Sequence, residues 1–187
     1  MICCKNERGG RLLKSILILG GARSGKSNFA QSMASDLGGR VVFVATAEAG
    51  DADMRRRIAA HRKSRPESWL TIESPLNIAE SIGGLAGKAD VVVIDCITLL
   101  VSNIMLKTRR KASAEKAVLK ELDALVGCMG ESPATFILVS NEVGMGVVPD
   151  NELGRHYRDC LGRANQILSR KADEVYFMAA GLHIRMK

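Results

Sequence analysis

Residues 16–27 read ILILGGARSGKS, and this stretch decides the fold. The apolar run 16–19 predicts a short buried strand, and apolar residues at a spacing of four over 29–37 predict the helix that follows. Between them the chain fits the pattern GxxxxGK[ST] with Gly20, Gly25, Lys26 and Ser27. A strand, a glycine-rich loop and a helix in this order predict a phosphate-binding loop, or P-loop.

The predicted P-loop has the chemistry of a polyphosphate site. Its glycines allow backbone N–H groups to point inward, and the N-terminus of the following helix adds partial positive charge. We expect Lys26 to act in catalysis by bridging the β- and γ-phosphates, and the Ser27 hydroxyl to bind Mg²⁺. The expected nucleotide contacts of the loop are Gly20, Gly21, Ala22, Arg23, Ser24, Gly25, Lys26 and Ser27.

Asp95 is the second expected ligand of Mg²⁺. It directly follows the apolar run 91–94, which predicts a buried strand. A carboxylate at such a strand end can hold Mg²⁺ beside Ser27. The alternative is that Asp95 caps a helix that begins at Cys96 or Ile97.

Alternating strands and helices fill the rest of the chain. Further strands are predicted at 41–45, 69–72 and 135–139, and helices at 53–64, 78–85, 97–106, 113–127 and 153–171. The strands lack the period-two pattern of a half-exposed sheet, so we expect a mostly parallel sheet covered on both faces. The segments 175–179 and 183–186 predict an antiparallel C-terminal hairpin. The predicted fold class is therefore three-layer α/β of the P-loop type.

Length and composition indicate one soluble domain. The chain has 187 residues, of which 47% are hydrophobic and 25% charged. We expect residues 1–14 to be a flexible basic leader and residues 15–187 to form a single P-loop nucleotide-binding catalytic domain. No apolar run approaches the roughly 20 residues of a membrane span, and no secretory signal is recognisable. Five cysteines without a CxxC pair indicate reduced thiols and a cytoplasmic protein.

The charge balance favours a protein that handles polyphosphates over one that binds nucleic acid. Lys and Arg exceed Asp and Glu by 27 to 20, which gives a net charge of +7. Aromatic residues make up only 4%, too few for a platform that stacks single-stranded bases. A RecA-like ATPase that binds single strands stays open as an alternative, and it predicts salt-sensitive binding. No Asn is followed by Lys, which excludes a guanine switch with an NKxD signature.

His61 lies in a strongly basic predicted helix. Residues 55–65 contain six Arg and Lys and no acid. Met54, Ile58 and His61 share one helical face by their spacing. A histidine on such a face can be structural, with one satisfied hydrogen bond. It can also be a nucleophile that attacks phosphorus, because neighbouring cations lower the pKa of an imidazole and keep it neutral. The residues alone leave both interpretations open.

Several motifs in sequence order resemble the bifunctional adenosylcobinamide kinase / adenosylcobinamide-phosphate guanylyltransferase family of cobalamin biosynthesis. The resemblance runs from about residue 16 to the C-terminus. It is carried by GGARSGKS at 20–27, ATA at 45–47, MRRRIAAHRKSRPESWLTIE at 54–73, DCIT at 95–98, Asn103, VSNEVGMGVVP at 139–149, RHYRDCLGRANQ at 155–166 and ADEV at 172–175. Departures are mild: Ser169 stands where Ala is expected, and Asp53 where Glu is expected.

The resemblance implies two reactions. A nucleoside triphosphate, ATP or GTP with Mg²⁺, phosphorylates the aminopropanol arm of adenosylcobinamide. GTP then donates GMP to the adenosylcobinamide phosphate by way of a guanylylated histidine, which matches His61. The resemblance also implies a RecA-like fold, a homotrimer, and nucleotide contacts by residues beyond the P-loop, namely Ala45, Thr46, Ala47, Arg62, Lys63, Ser64, Arg65, Glu73 and Asp95.

One further alternative function and the role of one loop remain open. A small-molecule P-loop kinase with a structural His61 predicts phosphate transfer without a covalent nucleotide. The loop 141–149, which contains two glycines, is either a plain structured turn or a segment near the substrate or a neighbouring subunit.

Overall fold

A computed structural model describes residues 15–48, 50, 52–63, 65–85, 87–108 and 110–187. Within the helix Ala52–Lys63, the side chains of Asp53, Met54, Arg57, Ala60, His61 and Lys63 lie outside that description. The predicted leader 1–14 and Ser64 also lie outside the described residues. The division into a leader and one catalytic domain therefore stays a prediction.

Strands and helices alternate in the order that the sequence predicts. The bounds are β1 Ser15–Gly20, α1 Lys26–Leu37, β2 Val41–Ala45, α2 Ala52–Lys63, β3 Leu70–Glu73, α3 Ile78–Gly83, β4 Val91–Asp95, α4 Ile97–Lys107, α5 Lys111–Glu131, β5 Thr135–Asn141, α6 Glu152–Lys171, β6 Glu174–Ala179 and β7 Leu182–Arg185.

The predicted and observed helices differ mainly at their ends. The predicted helix 78–85 ends at Gly83, because a second glycine, Gly84, follows and weakens the helix further. Helix α5 runs to Glu131 instead of stopping at residue 127. Its buried Val118, Leu122 and Leu125 pack in the core, and this packing outweighs the low helix propensity of glycines near its C-terminus.

The seven strands form one sheet in the order β3-β2-β4-β5-β1-β6-β7. All neighbouring pairs are parallel except β6 with β7, which are antiparallel. The α/β class, the mostly parallel sheet and the C-terminal antiparallel hairpin are confirmed. Strand β5 lies between β1, which leads into the P-loop, and β4, which ends at Asp95.

Helices cover both faces of the sheet. Leu17 of β1 and Leu138 of β5 belong to a core that includes apolar residues of α3, α4, α5 and α6. Ile18 and Ile137, on the opposite face, pack with apolar residues of α1. Alternate residues of a strand point to opposite faces, so strands buried on both sides need continuous apolar runs. This requirement explains the runs that identified the strands.

In the part of the chain that the structure describes, none of the helices combines the length and the apolar character that crossing a membrane would require.

Candidate active site

A cavity of about 770 Å³ opens at the carboxyl ends of β1, β2, β4 and β5. Parallel strands bring their carboxyl ends to one edge of the sheet, where ligands of α/β proteins bind. The cavity has three sides. The P-loop and the start of α1 form the first, the ends of β4 and β5 the second, and α2 with β3 the third.

The conformation of the P-loop requires glycine at its first position. A Cβ built on Gly20 would stand 2.3 Å from the backbone oxygen of Met178, so no other residue fits between β1 and β6. Gly25, just before α1, has a φ of 96°, in the left-handed region that glycine adopts without strain. Both positions therefore keep the loop close against the sheet.

Neighbouring segments hold the loop in place. The backbone N–H of Glu142 donates to the Gly20 carbonyl over 3.0 Å, and the N–H of Gly181 donates to the Ser24 carbonyl over 3.1 Å. Glu142 follows β5 and Gly181 lies in the turn between β6 and β7. Backbone hydrogen bonds thus fix the P-loop on both sides.

Lys26 is the buried cation of the cavity. Its side chain is only 6% exposed, and Nζ donates to the Gly21 carbonyl over 2.6 Å and to Ser24 Oγ over 3.4 Å. Burial lowers the pKa of Lys26, and nearby Cys96 and Asp95 oppose that shift. An anionic phosphate would therefore stabilise the ammonium that burial destabilises.

Asp95 and Ser27 line the cavity together. Their carboxylate and hydroxyl oxygens are hard donors of the kind that Mg²⁺ prefers. In the described part of the chain, no three His, Cys, Asp or Glu side chains gather into a metal site. A nucleotide-bound Mg²⁺ needs fewer protein ligands, because phosphates and waters complete its coordination shell.

Cys96 follows Asp95 in the same cavity. Burial first and then the Asp95 carboxylate raise the pKa of the Cys96 thiol to about 11, so Cys96 is a neutral thiol at neutral pH.

Thr46 joins the ends of β2 and β4. Its hydroxyl donates to the Cys96 carbonyl and accepts from the Cys96 N–H, each over 2.7 Å. Its own carbonyl accepts from Asn103 Nδ2 over 2.9 Å. Thr46 is fully buried and does not line the cavity. Its side chain supports the peptide that follows Asp95.

Arg62 of α2 and Glu73 of β3 face each other across the third side of the cavity. Arg62 Nη1 and Glu73 Oε1 are 3.7 Å apart, and both side chains are about two-thirds exposed. An exposed pair at this distance contributes little to stability. Both groups are therefore free to exchange their contact for a ligand.

Arg65 lies deeper in the same side of the cavity. Its guanidinium carbon stands 3.6 Å from the centre of the Phe43 ring, which is itself fully buried. Burial lowers the pKa of Arg65, while Asp95 raises it. Its Nε is buried and has no hydrogen-bond partner among the described residues. An aromatic ring thus holds the Arg65 guanidinium, and its Nε can still donate a hydrogen bond to a polar group of a ligand.

Hydrogen bonds also clamp the end of β5. Asn141 N–H donates to Thr98 Oγ1 over 2.6 Å, and the Tyr157 hydroxyl donates to the Thr98 carbonyl over 3.2 Å. Asn165 Nδ2 donates to the Asn141 carbonyl over 2.9 Å, and its Oδ1 accepts from Ser140 Oγ over 2.7 Å. Burial raises the pKa of Tyr157 to about 12, so this donor keeps its proton at neutral pH.

The structure brings most of the predicted site residues into one cavity. Those that line it are Ala22, Arg23, Ser24, Gly25, Lys26, Ser27, Ala45, Ala47, Arg62, Arg65, Glu73 and Asp95. Gly20, Gly21 and Thr46 lie outside the lining, where Gly20 and Thr46 support it. Ser64 and the side chains of His61 and Lys63 fall outside the described residues. The roles assigned to all these residues stay predictions.

Seven further residues line the cavity without having been predicted as site residues: Asn28, Ile58, Cys96, Thr98, Leu99, Val139 and Asn141. Ile58 shares a predicted helical face with His61, and Asn141 directly follows the buried run of β5. The sequence therefore indicated that both residues could lie near the site. The apolar members did not, because their residue types are the ordinary ones of a core.

Comparisons of the sequence with known proteins find relatives that match almost the whole chain. A family model described as "Cobinamide kinase / cobinamide phosphate guanyltransferase" matches residues 16–186. The bifunctional adenosylcobalamin biosynthesis protein CobP of Pseudomonas aeruginosa is 43% identical over 171 residues, which cover 91% of this chain and 96% of that protein. The corresponding CobU protein of Escherichia coli is 37% identical over 180 residues, 92% of this chain and 99% of that protein. CobU of Salmonella typhimurium is also 37% identical over 180 residues, with the same coverage.

Proposed function

The chain belongs to the cobinamide kinase / cobinamide phosphate guanyltransferase family, and we propose that it phosphorylates adenosylcobinamide and then converts the product to adenosylcobinamide-GDP. Both reactions transfer a phosphorus group from a nucleoside triphosphate. Both need a cradle for the triphosphate and positive charge where negative charge develops. The observation that carries the proposal is that Lys26, Asp95, Arg62 and Arg65 line a single cavity.

The kinase step uses the P-loop side of the cavity. The hydroxyl oxygen of the aminopropanol arm forms a bond to the γ-phosphorus of ATP or GTP. The bond from the γ-phosphorus to the β–γ bridging oxygen breaks and releases the nucleoside diphosphate, and the hydroxyl proton passes to water. Lys26 carries charge on the β- and γ-phosphates. Its burial makes this contact strong, because few waters compete with the phosphate.

The guanylyl transfer uses α2. A neutral His61 imidazole bonds to the α-phosphorus of GTP, and pyrophosphate leaves. An oxygen of adenosylcobinamide phosphate then attacks the same phosphorus, and the bond to the imidazole breaks. His61 follows Ile58 by three residues on the same helical face and directly precedes Arg62, and both of these neighbours line the cavity. That placement supports His61 as the carrier of GMP.

Arg65 and Glu73 have complementary tasks with GTP. Arg65 supplies charge at the α-phosphate as pyrophosphate leaves. The Glu73 carboxylate accepts hydrogen bonds from ribose hydroxyls or from the N–H edge of guanine. Mg²⁺, held by Ser27 and Asp95 together with the phosphates, would neutralise charge on the triphosphate.

We further propose that the protein works as a homotrimer in the cytoplasm. The resemblance implies the trimer. Leu182 and Ile184 of the edge strand β7 are 75% and 68% exposed, and such apolar edge residues favour association. Cys96, Cys128 and Cys160, the cysteines that the structure describes, are free thiols, as in a reducing compartment. Sedimentation equilibrium tests the oligomer: a mass of three chains supports it, and one chain contradicts it.

Product analysis tests the proposed function. The protein is incubated with GTP, Mg²⁺ and adenosylcobinamide, and the corrinoids are separated and weighed by mass spectrometry. We expect adenosylcobinamide phosphate and adenosylcobinamide-GDP, with both lost in Lys26→Ala and retained in the exposed control Lys120→Ala. Absence of any phosphorylated corrinoid contradicts the proposal. Stimulation of GTP or ATP hydrolysis by single-stranded DNA would favour the nucleic-acid ATPase instead.

A further inference from the structure

A second cavity of about 370 Å³ lies between α6 and the loop that follows β5. We call it the α6 groove, and its lining consists of Gly144, Arg158, Asp159, Gly162, Arg163 and Gln166. Asn141 lines the large cavity, and Gly144 follows it by three residues. Three residues of chain span at most about 11 Å. The α6 groove is therefore a close neighbour of the proposed active site.

The polar lining of the groove is mixed in charge and incompletely paired. Arg158 is half-buried and makes no hydrogen bond or ion pair with any residue that the structure describes. Arg163, by contrast, is paired with Glu115. The buried unpaired side-chain atoms of the described residues do not include a nitrogen of Arg158, so water reaches its guanidinium. A ligand that accepts hydrogen bonds can replace that water. Asp159 offers an acceptor beside it, and Gln166 offers both kinds of group.

This set of groups fits neutral carboxamides better than a phosphate. A primary amide has a carbonyl that accepts from Arg158 and an NH₂ group that donates to Asp159. A phosphate would be repelled by Asp159. It would also find the nearby N–H groups of Gly144 and Met145 taken, because both donate to the Glu142 carboxylate over 2.8 and 2.9 Å.

An apolar surface lies beside the groove. Met145, Val147 and Val148, in the loop that contains Gly144, are 80%, 93% and 57% exposed. Exposed apolar side chains beside a polar groove mark a site for a ligand of the same mixed character. A corrin macrocycle has apolar faces and a rim of primary amides, so it matches both parts of this surface.

We propose that the α6 groove and the adjoining loop bind the amide-bearing rim of the corrinoid substrate. The aminopropanol arm then reaches past Asn141 into the cavity of the P-loop. This inference rests on the proposed function, and it assigns separate places to the nucleotide and to the corrinoid. Blocking the groove should therefore weaken corrinoid binding and leave the reaction of the protein with GTP intact.

Two variants test the assignment without disturbing the fold. A Cβ built on Gly162 would meet nothing within 4 Å, so the side chain in Gly162→Leu extends into the open groove. Arg158→Met keeps the length of the side chain and removes its charge and donors. The exposed Lys171, on the same helix, gives the matched control Lys171→Met. Equilibrium dialysis measures the Kd of adenosylcobinamide, and mass spectrometry measures the covalent GMP left by GTP.

We expect both groove variants to raise the Kd for adenosylcobinamide about tenfold, the effect of losing a charged hydrogen bond or the space for the ligand. The control and the covalent GMP of all variants should match the wild type. Unchanged Kd values in both variants, with the wild type binding, overturn the groove assignment alone. An altered oligomeric state with an unchanged Kd overturns it as well, and identifies the groove as an interface between copies. A wild type that binds no adenosylcobinamide refutes the proposed function together with this inference.

Discussion

The guanidinium of Arg65 is stacked on the ring of Phe43, with 3.6 Å between the guanidinium carbon and the ring centre. Phe43 belongs to β2 and is fully buried, so the ring is a rigid support. Arg65 keeps its charge at the edge of the cavity although burial lowers its pKa. A cation fixed in this way needs no reorganisation when phosphate charge develops beside it.

Replacing Arg65 by Lys tests this stacked cation. A lysine has no planar group to lie on the ring and no fork for two phosphate oxygens. We expect Arg65→Lys to slow the formation of covalent GMP by about 100-fold, as measured by rapid quench with labelled GTP. The exposed α2 substitution Arg55→Lys should leave the rate within about twofold of the wild type. A wild-type rate in Arg65→Lys would show that the charge alone suffices.

We expect Lys26 to be required for activity and to lower the stability of the folded protein. Its lowered pKa means that the folded state disfavours the ammonium. Lys26→Met should therefore raise the melting temperature of the ligand-free protein while abolishing both transfer reactions.

The pH dependence of that stability difference has a defined sign. With a folded pKa below the unfolded value of 10.5, the unfolded wild type binds more protons in the alkaline range. Between the folded and the unfolded pKa of Lys26, its contribution to the free energy of unfolding of the wild type therefore rises with pH. The stability difference in favour of Lys26→Met should shrink over the same pH range. Calorimetry between pH 7 and 10 checks both statements. A variant less stable than the wild type at pH 7 would show that the bond from Lys26 to the Gly21 carbonyl is the larger effect.

Glu73→Gln should affect nucleotide binding and spare the fold. The contact with Arg62 is exposed, so its loss should change the free energy of unfolding by less than about 0.5 kcal/mol. A carboxylate that accepts hydrogen bonds from GTP is a stronger acceptor than an amide, so we expect the Kd for GTP to rise about tenfold. Titration calorimetry measures it, with Glu67→Gln as the exposed control. An unchanged Kd would remove Glu73 from the nucleotide site.

The clamp on the end of β5 should matter for stability. Asn165 is 8% exposed and bridges Ser140 and Asn141. Asn165→Ala leaves the buried Ser140 hydroxyl without its acceptor and the half-buried Asn141 carbonyl without this donor. We expect it to lower the free energy of unfolding by about 1–3 kcal/mol. Ser169→Ala, on the same helix, should stay within about 0.5 kcal/mol of the wild type. Urea denaturation compares them, and equal values for the two variants would contradict the clamp.

Features that are local in sequence could be predicted well. The P-loop was recognisable because a strand, glycines at fixed spacing and a helix follow one another within residues 16–37. The position of Asp95 at the end of a buried strand could be predicted because it directly follows a continuous apolar run. The α/β fold followed from the same kind of pattern, since alternating buried strands and helices admit few topologies.

Contacts between distant segments could not be predicted from residue types. The cavity contains Thr98 and Asn141 because β5 lies between β1 and β4, and only the strand order reveals this. No local pattern predicts that the Thr46 hydroxyl, at the end of β2, bonds the Cys96 peptide at the end of β4. In the same way, nothing in the local sequence connects Arg65 with Phe43, which lie 22 positions apart and meet through packing.

The intact mass of the protein after exposure to GTP and Mg²⁺ tests most directly whether His61 carries GMP. The wild type should gain the mass of one GMP, in a bond that acid breaks and base preserves, as in a phosphoramidate. His61→Asn should gain nothing under the same conditions and should keep a wild-type Kd for GTP. A GMP adduct on His61→Asn, or its absence from a wild type that still makes adenosylcobinamide-GDP, would contradict the account.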